Sequence, residues 1–464
     1  MIDRQRGRFV GFLAVSVFTL LLGRPSVGNA QPAASTPSNG GEVSQRTAWF
    51  QQAKFGMFIH WGPYSLASVE ASWPIMEPEA HWNITEAEYV ALYKQFNPVH
   101  YDPQAWVSLA KDAGMRYMVF TAKHHDGFCM FDTALTDYKI TKTPYGQDVT
   151  AMLARAAHNA EIPLGFYYSP PDMHHAGYRD TSKPVKDTWH GDPTKPQWAT
   201  YLDYMEAQLR ELLTGYGPVA VIWFDGLDHQ EKYQGEQVLD IVHHIQPAAL
   251  VNNRLGVPGD FATPEQFIPD RIPTKSAALK LQGITKTPET TPPSVPEPDD
   301  FQLWETCMTI NDTWAYNKND TKYKSVKELI QDLANVASKG GNMLLDVGPT
   351  PEGTIQPEFV ERLDAMGKWL DVYGDSIYGT TYGPLQNLPF GKTTAKGKIV
   401  YLHVFDWPFA GQVEVPGFEG RIAEITVLGD KRKLRFRQVN DRLIIRAPAS
   451  APDPNDSVLQ IVTR

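Results

Sequence analysis

Seven short, continuously apolar runs alternate with stretches of helical periodicity between residues 50 and 378, and this alternation constrains the fold more than any other feature. The runs fall at 55–61, 117–122, 163–168, 219–224, 250–252, 302–307 and 342–347. Strands that are apolar on both faces belong to parallel sheets covered by helices. Between the runs, Trp198, Tyr201, Leu202, Met205, Leu209, Leu212 and Leu213 share one helical face. Segments 150–160, 237–245, 326–337 and 359–372 show the same period. Seven or eight such units predict a (β/α)8-like TIM barrel in an α/β chain rather than an open sheet. After residue 378 the pattern changes. Short runs at 400–405, 412–415, 422–427, 434–436, 443–447 and 458–462 are separated mostly by turns containing Gly, Pro and Asp. They predict a C-terminal antiparallel β-sandwich.

A barrel over 45–378 and a sandwich over 379–464 account for most of the 464 residues. Two Pro-rich insertions, 178–196 and 273–300, are expected to be long surface loops. The first thirty residues read as a signal peptide: Arg4, Arg6 and Arg8 precede an apolar run at 9–22, and Gly28, Asn29 and Ala30 supply small residues for cleavage. That run is too short to span a bilayer, so the expectation is a secreted or periplasmic protein, free of the membrane once residues 1–30 are removed. Residues 31–44, rich in Ser, Pro, Ala and Gly, read as a flexible leader. A formal net charge of -10 argues against a nucleic-acid partner. Cys129 and Cys307 are too few for a disulfide framework and are expected to be buried free thiols. Nothing in the sequence sets an oligomeric state.

In a barrel of this kind, chemistry gathers where strands end. Six strand ends carry dense polar clusters: His60-Trp61-Gly62, Lys123-His124-His125-Asp126-Gly127, Tyr167-Tyr168-Ser169, Trp223-Phe224-Asp225-Gly226, Asn252-Asn253-Arg254 and Trp304-Glu305-Thr306-Cys307. Each alone has an ordinary structural explanation, but six on successive strands predict one pocket. Adjacent histidines on a strand point to opposite faces and are poor co-ligands for one ion, and metal-binding His and Cys spacings are absent. No metal and no cofactor are therefore expected. The phosphate-binding loop and the serine elbow are also missing. Carboxylates set among imidazoles, aromatics and an arginine suit glycoside hydrolysis, which needs one carboxylate at the anomeric carbon and another carboxyl at the leaving oxygen.

The motifs KFGMFIHWGPYS, KHHDGFCMFDTALTDY, GFYYSP, VIWFDG, NNR, WETCMTINDTWAY and SKGGNMLLDVGPTPEG, with the run from MGKWL to SIYGT, resemble those of the glycoside hydrolase family 29 α-L-fucosidases from about residue 49 to 380. The resemblance implies a retaining exo-glycosidase that hydrolyses terminal α-L-fucosyl linkages of oligosaccharides or glycoconjugates through a fucosyl-enzyme intermediate. It makes Asp225 the nucleophile. It assigns sugar contacts to His60, His124, His125, Trp223 and Arg254, and to Tyr168 in preference to Tyr167. Glu70 and Trp73 match an acidic–Trp pair that is adjacent in the family and separated here by Ala71 and Ser72. The acid/base has two candidates, Glu305 and Glu265. Glu305 is preferred because it lies in an apolar strand run, whereas Glu265 lies in a Pro-flanked segment. The alternatives are a catalytically impaired fucose-binding protein or a different retaining glycosidase on the same scaffold.

Overall fold

The computed structural model describes residues 39–78, 82–227, 230–275, 296, 300–409 and 411–464, with side chains from residue 45. The expected signal peptide, residues 31–38 of the leader and most of the second insertion lie outside these residues, and the last six residues of the leader, expected to be flexible, instead begin a helix. Val43–Arg464 form one compact unit.

Seven strands form one parallel sheet: β1 (Phe55–Ile59), β2 (Met118–Lys123), β3 (Leu164–Tyr168), β4 (Val221–Phe224), β5 (Leu250–Val251), β6 (Glu305–Thr309) and β7 (Asn342–Val347). Their order is β5-β4-β3-β2-β1-β7-β6. This is the curled sheet of a (β/α)8 domain. The gap between β5 and β6 is filled by residues 261–265. Asn252 bridges Phe261, Ala262 bridges Trp304, and Glu265 bridges Cys307, all parallel. This irregular eighth stave carries a proline and no apolar run, which is why periodicity does not find it.

The helices are α1 (Asn39–Ala53), α2 (Trp73–Met76), α3 (Glu86–Ala91), α4 (Pro103–Asp112), α5 (Val149–Asn159), α6 (Trp198–Gly215), α7 (Gly235–Ile245), α8 (Val326–Ser338) and α9 (Pro357–Tyr373). Their starts are written in the sequence. Asp102 and Asp148 accept from the first free amides of α4 and α5, and Ser325 and Glu328 form a capping box on α8. The seven apolar residues expected on one face of α6 are all buried.

Strand alternation separates two cores. Met57, Phe120, Phe166, Tyr168 and Phe224 face the helices. Phe58, Val119, Tyr167, Val221, Trp223, Leu250, Phe261, Cys307 and Leu344 fill the barrel interior, which Trp49 and Phe50 of α1 also join. Gly56 leaves room for the Tyr117 ring, since a Cβ there would lie 2.5 Å from it. The interior is packed solid at its N-terminal end, so a ligand has access only at the C-terminal edge.

From β8 (Thr381–Tyr382) onward the strands are antiparallel: β9 (Gly391–Lys396), β10 (Ile399–Val404), β11 (Gln412–Pro416), β12 (Ile422–Val427), β13 (Phe436–Val439), β14 (Arg442–Arg446) and β15 (Ser457–Thr463). Sheets of order β12-β15-β10-β9-β8 and β11-β14-β13 share a core containing Leu402, Val413, Val415, Leu443, Ile445, Leu459 and Ile461. Trp369 of α9 donates to the Asp456 carbonyl at 3.1 Å, joining these sheets to the helices around the barrel.

The insertion 178–196 is an irregular segment, yet it is firmly pinned. The Arg179 guanidinium is buried and donates to the carbonyls of Met173, Asp180 and Lys183, to the Thr188 hydroxyl and to the Glu86 carboxylate of α3. Cys129 and Cys307 are both buried and free, as expected.

Candidate active site

A pocket opens at the C-terminal edge of the parallel sheet. Its floor and walls come from Phe58, His60, His124, His125, Tyr167, Trp223, Arg254 and Cys307, and its rim from the partly exposed Trp73, Asp225, Leu227, Glu265 and Trp314. Asp225 follows β4 directly and shares the inward face with Trp223 two residues before it. Its carboxylate takes three contacts: the Tyr167 hydroxyl at 2.8 Å, Arg254 Nη1 at 2.9 Å and His125 Nε2 at 3.4 Å. Burial opposes its ionisation, but the His125 hydrogen bond, the Arg254 charge and the Tyr167 hydroxyl outweigh it and hold the carboxyl well below the usual carboxylate range.

Arg254 ties two carboxylates together. Its Nη1 also lies 2.7 Å from Glu265 Oε2. Two oxygens on one nitrogen, at 2.9 and 2.7 Å, are no further apart than the sum of those distances, about 5.6 Å. The guanidinium is fixed by Nε to the Thr263 hydroxyl at 2.9 Å and Nη2 to the Thr263 carbonyl at 3.1 Å, and it lies 4.8 Å over the Trp223 ring. Thr263 sits two residues before Glu265 on the irregular stave, so one segment supplies both the carboxylate and the clamp for its partner.

His60 and His124 are neutral hydrogen-bonding groups held by buried partners. His124 Nδ1 lies 2.7 Å from Ser72 Oγ, and the ring stacks on Tyr167 at 5.3 Å. Burial, with His125 and His60 alongside, drives its pKa well down. His60 Nδ1 lies 2.7 Å from Asp346 Oδ1 on β7. Burial lowers His60 to about 4 and pushes Asp346 well above the carboxylate range, so the pair carries no net charge and keeps its proton between the two groups. His125 Nδ1 meets Ser169 Oγ at 2.6 Å.

Of the eleven residues singled out in the sequence, eight line this pocket: Asp225, His60, Trp73, His124, His125, Trp223, Arg254 and Glu265. Three do not. Tyr168 points outward, donating to Gln208 Oε1 at 2.8 Å under the Lys123 ammonium. Strand parity puts Tyr167 inside instead, in register with Trp223, and that parity could have chosen between the tyrosines. Glu70 spends both oxygens on the backbone amides of Ala71, Trp314 and Ala315, at 3.0, 2.9 and 3.0 Å. It therefore fixes the rim segment that carries Trp314.

Glu305 is the third. It faces the barrel interior, but it is the first residue of β6 and sits two residues below Cys307, the partner of Glu265. At about 3.3 Å per residue it lies roughly 7 Å deeper than Glu265. There it accepts from the Tyr117 hydroxyl and, at 3.0 Å, from Trp223 Nε1, while burial pushes its pKa up to about 7. The strand-run argument that preferred Glu305 identified its inward parity and not its height. Of the two candidates, the structure brings Glu265 to Asp225. Among the described residues, no group of three or more His, Cys, Asp or Glu is arranged to hold a metal ion.

A family model described as alpha-L-fucosidase matches residues 26–375. The chain belongs to the α-L-fucosidase family. The family's members are glycoside hydrolases, and relatives along this length are named as such enzymes. The chain is 29% identical over 402 residues to an alpha-L-fucosidase of Branchiostoma floridae, covering 79% of this chain and 80% of that one. It is 27% identical to human tissue alpha-L-fucosidase, covering 97% and 95%. Among solved structures, alpha-L-fucosidase isoenzyme 1 from Paenibacillus thiaminolyticus superposes with a TM-score of 0.80 at 36% identity, over 91% of this chain and 100% of that one. A GH29 alpha-L-fucosidase from Bacteroides thetaiotaomicron, trapped as a covalent intermediate with 2-fluoro-fucosyl fluoride in a mutant, matches with a TM-score of 0.76 at 25% identity, over 90% and 96%.

Proposed function

We propose that the protein is a retaining exo-α-L-fucosidase in which Asp225 is the nucleophile and Glu265 the acid/base. The observation that carries this reading is the shared Arg254 nitrogen, which holds an oxygen of each carboxylate within about 5.6 Å of the other. Retaining glycosidases place their two carboxyl groups roughly 5–5.5 Å apart, and inverting ones roughly 6.5–9.5 Å. The covalent intermediate trapped in the Bacteroides thetaiotaomicron relative supports the same chemistry.

In the first step Asp225 Oδ attacks the anomeric carbon of a terminal fucosyl residue. The bond to the leaving oxygen breaks, and protonated Glu265 delivers its proton to that oxygen. In the second step Glu265, now a carboxylate, takes a proton from water, whose oxygen attacks the same carbon and releases Asp225. Tyr167, His125 and Arg254 keep Asp225 ionised and aimed; neutral His60 and His124 offer hydrogen bonds to sugar hydroxyls. The packed barrel interior makes the pocket blind, which suits removal of one terminal sugar. Glycans ending in α-L-fucose are the substrates, and no metal takes part.

Glu265→Ala tests the assignment. Turnover of fucosylated disaccharides should collapse, while aryl fucosides with good leaving groups should retain a fast first step. Azide should restore their second step with retained configuration. If Glu305→Ala shows that pattern and Glu265→Ala does not, the acid/base assignment fails. We further propose export, with residues 1–30 removed; N-terminal sequencing of the exported protein should begin after Ala30.

A further inference from the structure

His124 and His125 each meet a buried serine, and the two serines hold their protons in different places. Ser72 Oγ accepts from the Asp126 amide at 2.8 Å and lies 2.7 Å from His124 Nδ1. It has no other acceptor among the described residues, so it donates to His124 Nδ1. The ring proton of neutral His124 then sits on Nε2. Ser169 is bonded the other way. Its hydroxyl donates to the Pro171 carbonyl at 2.8 Å. A carbonyl has no proton to give and a hydroxyl has only one. Ser169 Oγ can therefore only accept from His125 Nδ1, 2.6 Å away, and His125 Nδ1 carries a proton.

That leaves His125 Nε2, which lies 3.4 Å from Asp225 Oδ2. In a neutral ring protonated on Nδ1, Nε2 is a bare lone pair facing a carboxylate oxygen. Asp225 is itself held ionised, so neither side offers a proton. Only a second proton on the ring turns this contact into a bond, and that bond is charge-assisted. The other groups around the ring do not replace Asp225 as its partner. Asp126 spends its carboxylate on the Tyr89 hydroxyl and the Phe128 amide, and Lys123 is paired with Asp172. Tyr167 and Arg254 both donate to Asp225. His124, itself neutral, lies ring to ring at 4.3 Å, and Trp73 of α2, at 6.5 Å, carries no charge.

We infer that Ser169 is a positioning residue that holds His125 as an imidazolium beside the nucleophile. By taking the Nδ1 proton it denies the neutral ring the one tautomer that could still donate to Asp225. The inference deepens the fucosidase reading above and rests on it. Asp225 is aimed by two cations, Arg254 and His125, and loss of the His125 Nε2 proton to solvent turns one of those contacts into a repulsion.

Two measurements test this. In protein labelled with nitrogen-15 histidine, the His125 signals are identified by their loss in His125→Gln. At the pH of greatest activity both His125 ring nitrogens should be protonated; a bare Nε2 there would overturn the inference. The second measurement compares Ser169→Ala with the unaltered protein on an aryl α-L-fucoside whose leaving group departs without a proton from Glu265. Its kcat/KM then reports the nucleophile of the free enzyme. In the unaltered protein kcat/KM should fall about tenfold per pH unit once His125 loses its second proton. In Ser169→Ala the neutral ring can carry its proton on Nε2, so the fall should level off within about tenfold. A Ser169→Ala profile that is the parental one scaled down would make the serine merely structural and overturn the inference. Should Ser169→Ala not fold, the nitrogen signals of the unaltered protein still decide. If the unaltered protein releases no aryl group at all, the fucosidase reading fails, and the nitrogen signals test the Ser169–His125 contact independently of it.

Discussion

Replacing Glu305 by glutamine should leave the enzyme working and alter how its stability depends on pH. Glu305 is 1% exposed, and burial raises its pKa from 4.5 to about 7 against the opposing pull of Tyr117, Trp223 and Arg254. In the unfolded chain the carboxyl ionises near its ordinary value, so between pH 4.5 and 7 the folded protein holds a proton that the unfolded chain has lost. Stability is therefore greatest below that window, falls as pH rises through it and levels off above about 7. A shift of two to three units corresponds to about 3 kcal/mol. Glutamine is the shape of the neutral acid and cannot ionise. In urea titrations followed by tryptophan fluorescence, Glu305→Gln should match the unaltered protein at pH 5 and exceed it by up to about 3 kcal/mol at pH 8. Activity on a fucosylated disaccharide should stay within about tenfold, because the amide can still bond Tyr117 and Trp223. A Glu305→Gln protein with the parental pH dependence of unfolding would refute the burial argument. Loss of disaccharide activity with azide rescue on aryl fucosides would return the acid/base to Glu305.

Tyr167→Phe removes a 2.8 Å hydrogen bond to the charged Asp225; kcat/KM should fall by about one to two orders of magnitude, whereas Tyr168→Phe should change it little. Asp346→Leu strips His60 Nδ1 of its buried partner and should raise KM by about tenfold, while Asp346→Asn, which can still bond that nitrogen, should keep most of the activity. Prolonged dialysis against a chelator should leave turnover unchanged; loss restored by one divalent ion would contradict the metal-free mechanism.

The barrel was legible because its strands are short, apolar on both faces and spaced by helical segments with clear caps. The antiparallel region was legible except where strands are polar. β9 reads GKTTAK and is set by pairing with β10, a tertiary contact without a local signal. The same limit hid the stave at 261–265, whose place between β5 and β6 depends on three isolated bridges. The convergence of residues at regular strand ends on one pocket, His60, His124, His125, Asp225 and Arg254, could be read from sequence. Those that depend on parity or height could not be settled by strand location alone. Tyr167 differs from Tyr168 by the side of the sheet it faces, and Glu265 differs from Glu305 by one layer inside the barrel. Glu70 shows a further limit, since a carboxylate close to the site in sequence can be used up on backbone amides.

The proposed retaining mechanism requires that Asp225 form a covalent bond to fucose. Incubation with 2-fluoro-fucosyl fluoride, followed by peptide mass spectrometry, tests it most directly. One added 2-fluorofucosyl group per chain is expected, located on the peptide carrying Asp225 and absent in Asp225→Asn. Labelling of any other carboxylate, or full turnover by Asp225→Asn without an external nucleophile, would contradict it.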